Sequence, residues 1–232
     1  MTIPPILMWG PPGIGKSHYA NDLAVALGTP LRRHSMENAQ TTALLLGTER
    51  HWSTTTPGVV FEEVVLGASA NPIFLIDEID KAPRNATYDP LAPLHSLLEP
   101  STAAVARDAS LDITFDASLA IYIAASNDPN RIPESLRSRM TSFEIRPPRG
   151  HAALQIARMV VAATIERLAI PAFEAPEPRV AHRLAHLNPR AIGKATQLAV
   201  AHALYNGRCY LTVSDLPDDP LDDGEPRKAL LN

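Results

Sequence analysis

The sequence predicts an α/β fold, a parallel sheet with flanking helices, followed by a small all-helical domain. Three observations predict it. Short continuous apolar runs end in turn residues, which is the pattern of strands covered on both faces. Helical periodicities separate those runs. Beyond Pro147 and Pro148 the runs stop and an alanine-rich, helix-periodic texture takes over.

In chain order, residues 6–9 read as the first strand. Ala20, Leu23, Ala24 and Leu27 then fall at i, i+3, i+4 and i+7 of a helix, with Gly28 as its stop. Residues 73–76 and 119–125 are two further buried strands, and 142–145 a weaker one. Between them Leu91, Leu94, Leu97 and Leu98 form a helical stripe closed by Pro100. In the C-terminal part Leu154, Ala157, Val161, Ile165 and Leu168 share one helical face, and further helices fit 178–187 and 190–205. The expected organisation is an α/β domain over 1–148, a helical domain over 149–217, and a flexible tail over 218–232, where acidic residues and prolines concentrate.

Composition narrows the class. Apolar residues make up 45%, enough for a sizeable core. Twenty-one basic residues against 25 acidic exclude the strongly basic character of a general nucleic-acid binder. The single cysteine, Cys209, excludes an internal disulfide framework. No apolar run approaches the ~20 residues that span a bilayer, and no basic segment precedes the first apolar stretch, so a cytoplasmic protein is expected.

The most specific signal is Gly10-Pro11-Pro12-Gly13-Ile14-Gly15-Lys16-Ser17, which fits G-x-x-x-x-G-K-[ST] between a strand and a helix. Glycines let the backbone wrap a polyphosphate with its N–H groups inward, and the helix N-terminus adds the positive end of its dipole. Lys16 would reach the β- and γ-phosphate oxygens, and the Ser17 hydroxyl would ligate Mg²⁺. A loop of this form between a strand and a helix makes the sheet one of the P-loop NTPase type.

A second signal is the apolar strand ending in Asp77-Glu78. In a parallel sheet both acids sit at the carboxyl edge, where ligands bind. Asp77 would hold Mg²⁺ directly or through water, and Glu78 would polarise the attacking water. The strand ending at Ser126 presents Asn127 at the same edge. Asn127 reads equally as a γ-phosphate or water contact and as an ordinary turn residue. His182 and His186 have the i, i+4 spacing of a zinc helix but lack the glutamate beside the first histidine, and read as surface histidines.

Taken together, these motifs resemble the AAA+ ATPases, and within them the ATPase module of Lon-type proteases. The narrower resemblance is carried by Pro57-Gly58, Ile76-Asp77-Glu78-Ile79-Asp80-Lys81, the stretch from Asp89-Pro90 to Glu99-Pro100, Phe115-Asp116, and Ile132-Pro133-Glu134-Ser135-Leu136-Arg137-Ser138-Arg139-Met140. It runs from about residue 6 to about residue 203. It implies that Asn127 is sensor 1 and that Arg139 is an arginine finger for a neighbouring subunit, with Arg137 as its nearby understudy. A guanidinium there stabilises charge developing on the γ-phosphate.

By the same resemblance Arg190 is the sensor 2 arginine, and Trp52 the aromatic pore-loop residue that grips polypeptide. A cation in the first turn of a helix opposes the helix dipole, so an anionic partner for Arg190 would relieve that conflict. Thr56 stands where the family usually has a second apolar pore residue.

The resemblance also implies a ring, by family default a hexamer. The Lon peptidase domain would follow the helical domain, and no protease activity is expected from this sequence. Only nine residues precede Gly10, where many such modules carry a helix over the adenine, so how adenine is held stays open.

The function expected is an Mg²⁺-dependent ATPase that forms a ring with itself and remodels or threads a protein. Two alternatives stand beside it. One is a loader acting on nucleic acid, disfavoured by the charge balance; the other is a nucleotide-dependent assembly switch with little hydrolysis. Transfer of phosphate to a small acceptor is the weakest fit, and no membrane partner is expected.

Overall fold

The computed structural model describes residues 3–39, 43–48, 55–83 and 89–217. Two units emerge from its contacts. One comprises Met1–Gly10 and Lys16–Ile145; the other comprises Pro11–Gly15 and Arg146–Asn232. The second thus takes in part of the glycine-rich loop, which a simple cut after residue 148 would not give. The segment 218–232, expected as a tail, lies outside the described residues.

The first unit is built on five strands: β1 (Ile6–Trp9), β2 (Leu31–Ser35), β3 (Ile73–Asp77), β6 (Ile121–Ser126) and β7 (Thr141–Glu144), in the order β2-β3-β6-β1-β7. Every neighbouring pair is parallel. Among the described residues two further strands, β4 (Ala106–Asp108) and β5 (Ile113–Phe115), form a separate antiparallel hairpin.

Side chains alternate between the two faces, as a pleated strand requires. Leu7, Phe74, Ile76, Tyr122 and Ala124 enter one core with Leu94, Leu97 and Phe115. Met8, Ile73, Leu75, Ile121 and Ile123 enter the other, where Ala20 and Ala24 of the helix Lys16–Leu27 cover them. β3 and β6 are buried along their whole lengths, which is why they read as unbroken apolar runs.

The edges differ. β2 is Leu-Arg-Arg-His-Ser, with Arg32 and Arg33 exposed and only His34 buried, and no apolar run announces it. Burial, with Arg32 nearby, holds the His34 imidazole below its ordinary pKa, hence neutral. β7 has all four residues exposed.

The leucine stripe at 91–98 is not one helix ended by Pro100. Only Leu94–Leu97 is helical there, and Pro100 opens the next turn, Pro100–Ala103, as its first residue. The reason is that proline lacks the N–H a helix interior needs but fits the first turn.

In the second unit the helices Gly150–Leu168, Pro178–Leu184 and Pro189–Tyr205 enclose a core of Ala157, Val161, Val180, Leu184, Ile192, Ala199 and Leu211. Asn188 caps the last of these helices, accepting the Ala191 N–H at 2.9 Å, and Pro189 occupies its first position. Further on, buried Asp215 accepts from Arg208 Nη1 at 2.6 Å, from the Thr212 N–H at 2.9 Å, and pairs with His202 Nδ1 at 3.0 Å. No helix among the described residues is long and apolar enough to cross a membrane.

Two outcomes follow from these cores. Phe74 is fully buried and stacks on Tyr122 with ring centroids 5.5 Å apart. Phe74→Ala is expected to cost about 3–5 kcal/mol of unfolding free energy in urea titration, and a loss below about 1 kcal/mol would contradict that packing. The Arg208 guanidinium holds the Asp215 carboxyl well below the usual carboxylate range. A depressed carboxyl adds stability that is present above the ordinary aspartate value of ~3.9 and is lost as pH falls toward the folded value. Melting temperature measured against pH should therefore fall less steeply below about pH 4 in Asp215→Asn, which starts from a lower value at neutral pH.

Candidate nucleotide site

The parallel register decides which polar groups meet. Trp9 pairs with Ser126, and Ser35 with Asp77, so the chain leaves β1, β2, β3 and β6 at one edge of the sheet. Lys16, Ser17, Ser35, Asp77, Glu78 and Asn127 all lie at or just past those carboxyl ends.

Lys16 is buried, and its ammonium donates to the Gly10 carbonyl at 2.7 Å and to Asn127 Oδ1 at 2.9 Å. A buried cation requires such acceptors. The Ser17 hydroxyl donates to Asp77 Oδ2 at 2.8 Å. The same carboxylate pairs with the Arg33 guanidinium at 2.7 Å and accepts the Glu78 N–H at 3.0 Å. A hydroxyl and a carboxylate oxygen side by side are the hard oxygen donors that Mg²⁺ takes, one or two from protein and the rest from water and phosphate.

Glu78 begins the turn after β3 with φ 55°, the left-handed region that a residue with a Cβ seldom enters. Its backbone is held there by the Asp77 side chain and by Lys81, whose N–H donates to the Glu78 carbonyl at 2.9 Å. Its carboxylate is held as well: Lys81 Nζ donates to Oε1 at 2.8 Å and the Ser35 hydroxyl to Oε2 at 3.3 Å. Lys81 also reaches Glu37 at 3.4 Å. The Lys81 hydrogen bond holds Glu78 below the ordinary glutamate value. Sequence reading identifies Glu78 but gives no role to Arg33 or Lys81, because each acts through a pairing made across strands or around a turn.

Arg139 lies elsewhere. It is exposed, donates to the Ser135 carbonyl, and stands two residues before Thr141, which pairs with Ile6 at the start of β1. That is the amino edge of the sheet. The four residues of β1 separate it from the carboxyl edge, a span of about 13 Å at ~3.3 Å per residue. Arg137, nearby, pairs with Glu134.

In the second unit, the Pro11–Gly15 segment lies with the helix that begins at Pro189. Gly13 has φ 76°, and a Cβ there would stand 2.9 Å from Asn188 Oδ1 and 3.2 Å from Arg190 Cβ, so only glycine fits. The Arg190 N–H donates to the Gly13 carbonyl at 3.4 Å, while the Arg190 side chain is exposed. A cavity of about 670 Å³ in this unit is lined by Pro11, Pro12, Ile14, Pro148, Ala153 and His186, among others. Among the described residues no three His, Cys, Asp or Glu side chains gather as a metal cluster, and His182 and His186 are exposed.

Trp52 lies outside the described residues. The chain on either side of it is tied. The Thr48 N–H donates to the Thr56 carbonyl at 3.1 Å, and the Thr56 N–H to Thr48 Oγ1 at 2.8 Å. The Gly58 N–H donates to buried Asp108 at 2.7 Å.

Parts of this chain are similar to known proteins. Residues 6–147 match the family model described as "ATPase family associated with various cellular activities (AAA)". The Lon protease of Helicobacter pylori strain 26695 is 33% identical over 140 residues, 60% of this chain and 17% of that protein. The Lon protease of Koribacter versatilis is 35% identical over 143 residues, 61% of this chain and 18% of that protein. The chain thus matches less than a fifth of the length of these relatives. Among solved structures, a mutant RuvB of Thermotoga maritima superposes with a TM-score of 0.63 at 16% identity, over 92% of this chain and 60% of that one, a likeness of fold. With the family model covering more than half of its length, this nucleotide-binding chain, whose module is Lon-like, belongs to the AAA family of ATPases.

Proposed function

We propose that this ATPase binds Mg²⁺-ATP on the loop Gly10–Ser17, hydrolyses it to ADP and phosphate, and works as a ring, by family default a hexamer, that remodels or threads a protein. The observation that carries the proposal is the split of charge between the two edges of one sheet. Lys16, Ser17, Asp77, Glu78 and Asn127 lie at the carboxyl edge, and Arg139 lies at the amino edge.

In this reading the backbone N–H groups of Gly13, Ile14 and Gly15 cradle the phosphates. Lys16 exchanges its present acceptors for β- and γ-phosphate oxygens. Ser17 and Asp77 are the residues that would hold Mg²⁺, which neutralises charge on the phosphate oxygens when bound. Arg33, now on Asp77, would yield that oxygen. Glu78 accepts a hydrogen bond from the attacking water and orients its lone pair toward the γ-phosphorus. As the new P–O bond forms, the bond to the β–γ bridging oxygen breaks, and the water's proton passes to the carboxylate. Asn127 fixes the γ-phosphate or that water.

The carboxyl edge of the sheet, about 13 Å from the amino edge, is out of reach of Arg139 on the same chain, given the ~7 Å reach of an arginine side chain from its Cα. Arg139 therefore supports completion of the site by a second copy of the chain, whose guanidinium would stabilise the transferring phosphoryl group. The proline-lined cavity of about 670 Å³ supports adenine binding against apolar surface. Arg190, at the first turn of its helix and bonded through its N–H to Gly13, fits the sensor 2 role. Gripping of polypeptide by Trp52 rests on the resemblance to Lon.

Glu78→Gln is expected to lower Mg²⁺-ATP turnover by at least about 100-fold while labelled ATP still binds in equilibrium dialysis; intact turnover would remove Glu78 from the chemistry. Turnover per protomer should rise steeply with protein concentration, and excess Arg139→Ala protein should depress the wild-type rate below that of undiluted wild type. A rate independent of concentration and unmoved by the variant would overturn the shared site. Nucleotide binding with concentration-dependent assembly but negligible turnover would point instead to an assembly switch.

A further inference from the structure

Asp80 is the least explained acid of the site. It lies in the short 3₁₀ turn Ile79–Lys81 and is 4% exposed. Its Oδ2 accepts two backbone N–H groups, those of Asn127 and Asp128, each at 3.2 Å. Its Oδ1 is buried without a hydrogen-bond partner among the described residues. Keeping a carboxylate under cover with one oxygen unsatisfied costs free energy that an apolar side chain would not.

We propose that Asp80 is a positioning residue for the ATPase reaction: it ties the turn after β3 to the turn after β6 and so sets where Asn127 presents its side chain.

The ladder explains why such a tie is needed. β6 pairs with β3 only as far as Ala124 and with β1 as far as Ser126, whose carbonyl accepts the Gly10 N–H. Beyond Ser126 the backbone donors of residues 127 and 128 have left the sheet. Asp80 takes both, fixing the orientation of two successive peptide groups. Asn127 then holds its Oδ1 at 2.9 Å from Lys16 Nζ, and Asp128 accepts the Asn130 N–H at 3.0 Å to cap the turn Pro129–Arg131.

The other end of the tie is equally placed. Asp80 is two residues from Glu78, and the same turn carries Lys81 onto the Glu78 carboxylate. Asp80, Asn127 and Lys16 are joined by hydrogen bonds, and Glu78 shares the turn of Asp80. A displacement of the turn at Glu78 therefore moves the Asn127 backbone with it. The catalytic consequence rests on the proposed role of Asn127; the tie itself does not.

The test uses the full chain and four variants: Asp80→Ala, Asp80→Asn, Asn127→Ala and the double Asp80→Ala with Asn127→Ala. Asp80→Ala is expected to lower kcat by about 10- to 100-fold with KM within about threefold, because misplacing a contact by an ångström has that effect on chemistry rather than on binding. Asp80→Asn keeps an acceptor oxygen and should restore most of the loss. The double variant should be no slower than Asn127→Ala, since one acts through the other. Additive losses, or a change in KM alone, would overturn the proposal.

Amide hydrogen exchange, read by NMR, tests the tie whether or not the chain turns over ATP. The N–H groups of Asn127 and Asp128 should exchange about tenfold faster or more in Asp80→Ala, while those of β1 stay unchanged. Unchanged exchange at 127 and 128 would refute the tie. Should Asp80→Ala fail to fold, Asp80→Ser, whose hydroxyl is too short to serve both donors, gives the same readouts. Undiminished turnover in Asn127→Ala would instead overturn the role of Asn127 and leave the exchange result to judge Asp80 alone.

Discussion

Parallel pairing of β3, β6 and β1 is the constraint on which the rest of the site depends. Because the strands run the same way, every chain exit falls on one edge, and every exit is a place where ladder hydrogen bonding ends. The groups that appear there are those needed to satisfy that edge: a glycine loop after β1, two acids after β3, an amide after β6. The apolar interior of β3 and β6 keeps the register fixed, since a slip by one residue would exchange the two cores on either side of the sheet. Chemistry at the edge is thus as rigid as the packing beneath it.

Charge at this edge is balanced locally and almost pairwise. The Lys16 ammonium is shared between a carbonyl and an amide oxygen, Asp77 between Ser17 and Arg33, and Glu78 between Lys81 and Ser35. Each of these charged groups thus has a partner drawn from the protein itself. Such pairing limits the desolvation cost of keeping these groups in place. Arg33 makes its pair with Asp77 from an exposed position on an edge strand, outside the core.

Much of this was legible in the sequence, for identifiable reasons. β1, β3 and β6 are apolar and bounded by turn residues, and the loop from Gly10 to Ser17 carries its spacing openly. The glycine at position 13 declares a backbone that no other residue could follow. What stayed hidden depends on contacts remote in sequence. β2 reads as a polar stretch because an edge strand needs only one buried side chain, His34, on its polar run. Asp80 and Lys81 differ in no visible way from other charged residues after a strand; their roles come from the turn that carries one toward β6 and the other back onto Glu78. The stripe of leucines at 91–98 misleads because helical spacing is also met by a turn followed by a short helix, and the prolines at 93 and 100 decide between them.

The exposed strand β7 has a consequence for how copies of the chain can meet. All four of its residues are exposed, with Phe143 half exposed, and it is the last strand in the order of the sheet, the position at which another strand can pair. Its brevity limits that pairing, for four residues offer only a couple of outward backbone donors. Pro147 and Pro148 follow closely and have no N–H to extend the row. A four-residue edge strand followed by two prolines is a poor template for repeated pairing between copies.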